Sequence, residues 1–368
     1  MRIFFVLLLT LHALIHLLGF VKAFILAEVS QLTQSVSKPA GAAWLLAAIL
    51  LFLGAVLFLL KTEYWWLAAA PVVILSQFLI IISWTDAKFG TIANVLILLP
   101  LIISILNSLP SSFANLYKSE VRKGLANTAS MPIVREEEIA HLPAPVQKYL
   151  RYAGVIGKPH VRNMRVRCTG QIRPKMEGGW IDFESQQYNF FDNPARLFFI
   201  QSSMYGLPFD GLHAYVGPTA IMQIKVAAML LVVDAKGPEM NQGETVTMFN
   251  DICVMAPATL INKNIQWESI DSLTTKATFT HQGNTISAKL YFNENGELVN
   301  FISDDRYQSE DGKVYGKYRW STPMKNYKDF GGIKIASYGE ASWQMPSGEF
   351  VYGKFNILDI EYNCETLK

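Results

Sequence analysis

The stretch NTISAKLYF, residues 284–292, sets the fold class of the second half of this chain of 368 residues. Apolar side chains occupy every second position, at Ile286, Ala288, Leu290 and Phe292. Since successive side chains of a strand point to opposite faces, this alternation predicts a β-strand with one buried face. The turn-forming sequence NENGE (293–297) follows directly, so we expect the chain to fold back as an antiparallel hairpin.

Further turn signals flank this hairpin, at 281–284, 310–313, 330–332 and 346–349. Their spacing predicts long strands joined as an antiparallel meander that starts near residue 161. A single apolar helix interrupts it at 242–261, with Pro257 breaking or redirecting that helix. A long sheet with one apolar helix has to curl around the helix to bury both, so the predicted fold is a curled half-barrel with an apolar cavity.

The first 110 residues are of a different kind. Each of four stretches, 3–27, 40–60, 64–84 and 89–109, holds at least about 20 mostly apolar residues, enough for a hydrocarbon layer of roughly 30 Å. The first lacks a small-x-small cleavage site, which predicts an uncleaved helix. We therefore predict a membrane α-helical bundle of four spans (1–110), a basic juxtamembrane connector with short helices (111–160) and a soluble, mainly antiparallel β domain (161–368).

An even number of crossings places both chain ends on one side of the membrane. The cations on that side would be Arg2, Lys61, Lys118, Arg122 and Lys123, against Lys22, Lys38 and Lys88 on the other. Because cytoplasmic loops carry the excess of Lys and Arg, this count favours cytoplasmic ends and a cytoplasmic β domain. The expected location is an inner (plasma) membrane.

Basic residues are concentrated just after the predicted spans. Up to residue 175 the chain has 17 Lys and Arg against 7 Asp and Glu, and no acid lies between Glu138 and Glu177. Cations near a bilayer attract anionic headgroups, and few aromatic side chains suited to stacking on bases accompany this run. The predicted partner is an anionic bilayer rather than nucleic acid, contacted by Lys148, Arg151, Arg162, Arg165 and Arg167.

Two histidines, His12 and His16, lie four positions apart on one face of the first span. Gln77 in the third span and Asn94 in the fourth are at a similar depth, so we predict a polar cluster of these four side chains that holds the helices together. A proton, quinone or small-ligand pocket and a metal site remain alternatives. The candidate carboxylates for a metal would be Asp86, Glu28 and Glu63, with Glu63 in a loop on the opposite side of the membrane from the other two.

Signals of catalysis and of cofactors are sparse. The three cysteines lack the spacing of a metal site or a disulfide framework, and no GxSxG, HExxH, P-loop or GxGxxG motif stands out. The histidines of the second half, at 141, 160, 213 and 281, are isolated in sequence, and adjacent strand residues such as Asp304 and Asp305 face opposite ways. We expect no catalytic residue, no metal and no cofactor.

Methionines suggest how the second half would meet a ligand. The segment 220–237 and the predicted helix are rich in apolar residues, and flexible Met side chains suit irregular, greasy ligands. The predicted lining comprises Met222, Met229, Met248 and Met255. An ordinary core with Met as filler is the alternative.

Several segments resemble a known family. LTLHALIHLLGFVKAFILAEVSQLTQ (9–34), SWTDAKFGTIANVLILL (83–99) and above all the LPxPVxxYLRYAG element (142–154) look like an uncharacterised bacterial membrane family known only as a domain of unknown function. The resemblance implies no activity and no site residues. More distantly, the pattern of the second half is similar in architecture to lipoprotein-carrier (LolA/LppX-like) half-barrels, which hold acyl chains.

The leading hypothesis is thus a non-catalytic membrane protein whose β half-barrel binds a lipid or other hydrophobe beside the bilayer. One alternative is a membrane enzyme acting on a lipid-linked substrate. The other is an interaction module without a ligand pocket.

Overall fold

The computed structural model describes residues 2–126, 130–204 and 206–368. The chain divides into two compact units, Met1–Ser112 and Phe113–Lys368. Residues 127–129 of the predicted connector lie outside the described residues, and the helices on either side of them belong to the second unit.

The first unit is helical. Its helices are α1 (Arg2–Ala23), α2 (Lys38–Leu59), α3 (Trp66–Ile82), the short α4 (Trp84–Ala87) and α5 (Gly90–Ser108). Ser37 caps α2 by accepting a hydrogen bond from the backbone N–H of Ala40. Apolar side chains from α1, α2, α3 and α5 form a common core, with Leu9, Leu51 and Ile97 almost fully buried.

Among the described residues, three helical stretches are long and apolar enough to cross a membrane: Arg2–Ala23, Lys38–Leu59 and a stretch within Gly90–Gly124. The predicted third span is the exception, because α3 has 17 residues where 64–84 was expected. The residues after it form α4 and the turn into α5. The prediction of an apolar helical region is confirmed, and the number of spans is not.

The second unit begins with α6 (Phe113–Gly124) and α7 (Ala144–Ala153), with a 3-10 turn (Glu136–Ile139) between them. Tyr117 of α6 stacks on Phe199 at 5.5 Å between ring centroids. Tyr149 of α7 is fully buried and donates a hydrogen bond to the carbonyl oxygen of Cys253 at 2.9 Å. Gly154 ends α7 in a left-handed conformation (φ 77°), which suits a residue without Cβ.

The rest of this unit is a 14-stranded antiparallel sheet, a two-stranded ribbon and one long helix in the described part of the chain. The elements are β1 (Asn163–Ile172), β2 (Ile181–Phe190), β3 (Ala195–Met204), β4 (Leu207–Val216), β5 (Thr219–Val226), β6 (Leu230–Lys236), α8 (Pro238–Met255), a 3-10 turn (Pro257–Ile261), β7 (Ile265–Ser269), β8 (Thr274–His281), β9 (Asn284–Phe292), β10 (Leu298–Ser303), β11 (Tyr307–Gln308), β12 (Gly316–Lys317), β13 (Arg319–Ser321), β14 (Met324–Phe330), β15 (Ile333–Met345) and β16 (Gly348–Tyr362).

The strand order is β6-β5-β4-β3-β2-β1-β16-β15-β13-β10-β9-β8-β7, with β14 paired to β15 and the ribbon formed by β11 and β12. The opening stretch of the sequence is β9, and its four alternating apolar residues are all buried. The antiparallel meander predicted from the turn signals is therefore confirmed.

The sheet curls around α8. The helix contacts β5 and β6 near one end of the strand order and β8, β9 and β10 near the other. The two halves of the sheet also meet directly, because the amide of Asn284 in β9 donates a hydrogen bond to the Tyr215 hydroxyl of β4 at 3.3 Å. The helix begins at Pro238, a few residues before the predicted start at 242, and ends before Pro257, which cannot continue it.

Candidate functional site

A cavity of about 510 Å³ lies between α8 and the concave side of the sheet. Strand alternation explains its apolar wall, since Met222, Ile224 and Val226 of β5 sit two residues apart and face the same way. Ile200 of β3 and Phe209 of β4 extend this wall. The cavity is thus an apolar space within the half-barrel.

Helix α8 has two different sides. The side that lines the cavity repeats at helical spacing and comprises Met240, Gly243, Glu244, Thr247, Asn250, Asp251, Val254 and Met255. The other side carries Val246, Phe249 and Cys253, which are fully buried in the core. The helix is therefore enclosed on all sides, and polar groups in its middle face the cavity.

The polar groups of α8 pair with an arginine of the sheet. Arg196 of β3 donates from Nε to Asp251 Oδ2 at 2.7 Å and from Nη1 to Glu244 Oε2 at 3.0 Å. Gln187 and Asn189 of β2 also donate to Asp251 Oδ2, at 2.6 and 3.0 Å. Both carboxylates and the guanidinium are buried, so this is an interior ion network.

The network controls the protonation of its members. Burial alone would raise the pKa of Glu244, but the positive charge of Arg196, the nearby His213 and the more distant charge of Arg306 lower that pKa to about 2. Burial would likewise lower the pKa of Arg196, and the charges of Asp251 and Glu244 raise it instead. Glu244 and Arg196 are therefore both ionised at neutral pH.

The second oxygen of the Glu244 carboxylate is held less tightly. Its neighbours are Thr247 Oγ1 at 3.4 Å, His213 Nδ1 at 3.7 Å and Arg306 Nη2 at 3.9 Å. The last two separations are too long for direct hydrogen bonds. Oε1 therefore has two nearby donors, His213 and Arg306, that do not reach it.

Arg306 is held in a fixed position at this point. Its Nε donates to Thr247 Oγ1 at 3.1 Å and its Nη1 to the Tyr352 hydroxyl at 3.0 Å. The guanidinium lies over the rings of Trp320 and Trp343, 4.4 and 5.2 Å from their centroids, an arrangement that favours a cation. Nη2 remains directed at Glu244.

The four methionines predicted to line a ligand site are distributed differently. Met222 and Met255 belong to the cavity wall. Met248 is on the other side of α8, where it is buried in the core. Met229 is in the turn between β5 and β6 with 44% of its surface exposed, and it is not part of the cavity wall.

Sequence reasoning missed the charged end of the cavity, formed by Arg196, Glu244, Asp251, His213 and Arg306. One signal was available, because Glu244, Thr247 and Asp251 fall at helical spacing inside a predicted apolar helix. Such a stripe indicates a helix face with polar partners. The partners themselves come from distant strands.

The five basic residues predicted at the membrane surface do not form one exposed patch. Arg162 and Arg165 are buried, and Arg165 pairs with Asp359 at 2.5 Å. Arg151 is exposed and pairs with Glu136 at 2.5 Å. Lys148 and Arg167 are also exposed. Strand pairing explains the position of Arg165, because β16 brings Asp359 and Glu361 beside it.

In the helical unit, the structure brings His12, His16, Gln77 and Asn94 together around Ser76. The His16 Nδ1–H donates to the His12 carbonyl oxygen at 2.8 Å, so His16 Nε2 is free to accept from the Ser76 hydroxyl at 2.9 Å. His12 Nε2 donates to Asn94 Oδ1 at 3.0 Å, and Asn94 Nδ2 donates to Gln77 Oε1 at 3.0 Å. Ser76 is the member that sequence reasoning missed.

Metal and catalytic candidates are few. Among the described residues no three His, Cys, Asp or Glu side chains are grouped to hold a metal ion. Asp304 pairs with Arg319, whereas Asp305 accepts from the backbone N–H of Ser287, so the two acids act separately. Of the histidines in the second unit, His213 lines the cavity. His160 pairs with Glu138 at 2.9 Å.

Residues 132–355 match the model of a family of unknown function (DUF6544). The chain belongs to this family. The LPxPVxxYLRYAG element predicted a family known only as a domain of unknown function, and this match confirms the prediction. No curated protein matches the chain.

Two solved structures are similar in part. A DUF1329 family protein from Desulfovibrio piger is 11% identical, with 61% of this chain and 94% of that chain covered and a TM-score of 0.35. A LolA superfamily protein from Nitrosomonas europaea is 10% identical, with coverage of 59% and 93% and a TM-score of 0.33. Similarities this weak indicate no function for this DUF6544 member, whose own geometry is the basis for the proposal below.

Proposed function

We propose that this DUF6544 protein is a membrane protein whose β half-barrel binds the apolar part of a lipid or a similar hydrophobe. The observation that carries the proposal is the cavity beside α8. Its volume falls in the range of about 300–1,000 Å³ that is typical of small-molecule sites. Protein interiors are otherwise close-packed, and an interaction module without a ligand would have no need of such a space.

The chemistry of the wall supports an amphipathic or apolar occupant. Ile200, Phe209 and Ile224 present hydrocarbon to the cavity, and Met222 and Met255 add side chains that adapt to irregular shapes. Burying a ligand methylene against such a wall contributes about 0.8 kcal/mol. The affinity would come mainly from this burial.

The helical unit supports a location in the membrane. Its helices expose large apolar side chains outward, including Ile3 at 74%, Leu7 at 60% and Ile74 at 73%, as expected of surfaces that face lipid rather than water. We propose that α3 also crosses the membrane, since 17 residues extend about 25 Å. The ends and the β domain would then share the cytoplasmic side, with Lys148, Arg151 and Arg167 near anionic headgroups.

The test is to purify the full chain, extract it and identify bound lipid by mass spectrometry. Met222→Trp should reduce the bound lipid severalfold, because the larger side chain fills the cavity. Gln223→Trp is the matched control, since the next residue of β5 faces away from the cavity. Equal lipid content in the two variants, or none in the wild type, would contradict the proposal.

One observation favours a second candidate, an enzyme acting on a lipid-linked substrate. His213 and Glu244 converge in the same cavity, with His213 Nδ1 3.7 Å from Glu244 Oε1, and a His–carboxylate pair is suited to proton transfer. Incubating the full chain with total membrane lipids and comparing it with His213→Gln would separate the two. Turnover of a lipid by the wild type alone would favour the enzyme.

A further inference from the structure

At the charged end of the cavity, Glu244 Oε1 has two donors just beyond hydrogen-bond distance. Glu244 Oε1 faces His213 Nδ1 at 3.7 Å and Arg306 Nη2 at 3.9 Å, and neither pair is in direct hydrogen-bond contact. Donors and acceptors separated this way in a buried site are usually bridged by a further polar atom. The bridging atom has to accept from His213 or Arg306 and donate to Glu244.

Within the ion network itself, the charges are balanced. Arg196 and Arg306 supply two positive charges, and Glu244 and Asp251 supply two negative ones. Of the other carboxylates of the wall, Glu310 pairs with Lys175 at 3.8 Å and Glu340 accepts a hydrogen bond from the Tyr338 hydroxyl at 2.5 Å. An incoming carboxylate would lie against Glu244 and an incoming ammonium against Arg306, and a buried charge without a counter-ion is costly.

We propose that this end of the cavity binds an uncharged head that both donates and accepts a hydrogen bond, such as a hydroxyl group. The head oxygen would accept from Arg306 Nη2 or His213 Nδ1, and its hydrogen would go to Glu244 Oε1. The ligand is then a neutral amphiphile whose chain follows the apolar wall. This inference rests on the proposed function, because it names the class of ligand for the same cavity.

The experiment compares three amphiphiles of equal chain length on the delipidated full chain at pH 8: monolauroylglycerol, laurate and dodecylamine. Native mass spectrometry measures the fraction of the protein that carries one bound ligand. We expect monolauroylglycerol to bind about tenfold more tightly than either charged compound, because only its head satisfies Glu244 and Arg306 together.

Two variants should change this order in opposite directions. Glu244→Gln removes a negative charge and leaves the arginines in excess, so laurate should gain at least about tenfold relative to monolauroylglycerol. Arg306→Gln removes a positive charge, so dodecylamine should gain instead. Glu268→Gln makes the same chemical change as the first variant at an exposed residue of β7 that does not line the cavity, and it should leave the order unchanged. If these residues had only a structural role, each variant would weaken the binding of all three ligands together.

The possible failures are distinct. Binding of none of the three compounds would overturn this inference together with the proposed function. Binding with a preference for laurate or dodecylamine in the wild type, or with no preference, would overturn the head-group assignment and leave the apolar binding intact. The head-group assignment would also be overturned if the two variants shifted the ranking of the three ligands in the same direction.

Discussion

Replacing Arg196 by Met should destabilise the β domain strongly. Arg196 is buried and is bound to Glu244 and Asp251 at 3.0 and 2.7 Å. Met keeps an unbranched chain of similar reach but leaves two buried carboxylates without a cation. Removing one partner of a buried ion pair costs about 3–5 kcal/mol. The pKa of Glu244, lowered from 4.5 to about 2, corresponds to about 3 kcal/mol and agrees with this range.

The loss can be measured by pulse proteolysis of the full chain in detergent over a series of urea concentrations. Arg167→Met is the matched control, because Arg167 is exposed on β1. A surface substitution of this kind should change the free energy of unfolding by less than about 0.5 kcal/mol. The difference between the two variants isolates the buried ion network.

The dependence on pH gives a second readout. A carboxyl group whose pKa is lowered by folding contributes stability fully above its unfolded pKa, here 4.5, and this contribution is lost as the pH falls towards about 2. The gap between wild type and Arg196→Met should therefore be largest at neutral pH and shrink below pH 4.5. A loss under about 1 kcal/mol at neutral pH, or a gap that widens in acid, would refute the reasoning.

Three further results are expected. Ser76→Ala should cost the helical unit about 1 kcal/mol, since its hydroxyl joins both imidazoles; an unchanged thermal unfolding curve in detergent would argue against this. Gly19→Ala should destabilise the helical unit by about 1–3 kcal/mol in the same measurement, because the added Cβ would lie 2.5 Å from Trp44 Cγ. Gly54→Ala is the control and should destabilise it less, since its Cβ would meet nothing closer than 3.9 Å. Iodoacetamide at pH 8 should label the thiols of the native protein far more slowly than those of the urea-unfolded protein. The reason is burial, which raises the pKa of Cys168 to about 12, that of Cys364 to about 11 and that of Cys253 well above its usual value. Fast labelling of any native thiol would contradict this.

The features that the sequence predicts well depend on neighbouring residues. The alternation in 284–292 places β9 with its bounds unchanged, and Pro257 marks the end of α8. The polar cluster of the helical unit was also accessible, because depth in a bilayer follows from position along a helix. In each case the deciding geometry repeats within a few residues.

The features that the sequence does not predict depend on strand register. The sequence predicts Arg165 as a cation near the membrane. The structure instead pairs it with Asp359 of β16, which is 194 residues later in the chain. Arg196 and Glu244 are 48 residues apart, and only the curl of the sheet around α8 joins them. Local periodicity carries no information on which distant strand faces a helix.

The ion network itself is a poor means of stabilising a domain. Replacing a complete buried ion pair by uncharged residues of similar size is often neutral or even stabilising, so stability alone does not account for charges placed in the wall of an apolar cavity. The triple variant Arg196→Met, Glu244→Gln, Asp251→Asn removes all three charges together. We expect its free energy of unfolding to return to within about 1 kcal/mol of the wild type, by the same pulse proteolysis. It should nevertheless lose the preference for an uncharged head, because the oxygen that accepts the ligand hydrogen is no longer charged. A triple variant as unstable as Arg196→Met alone would mean that the network holds the half-barrel together, and recovery of both stability and preference would mean that the charges do neither.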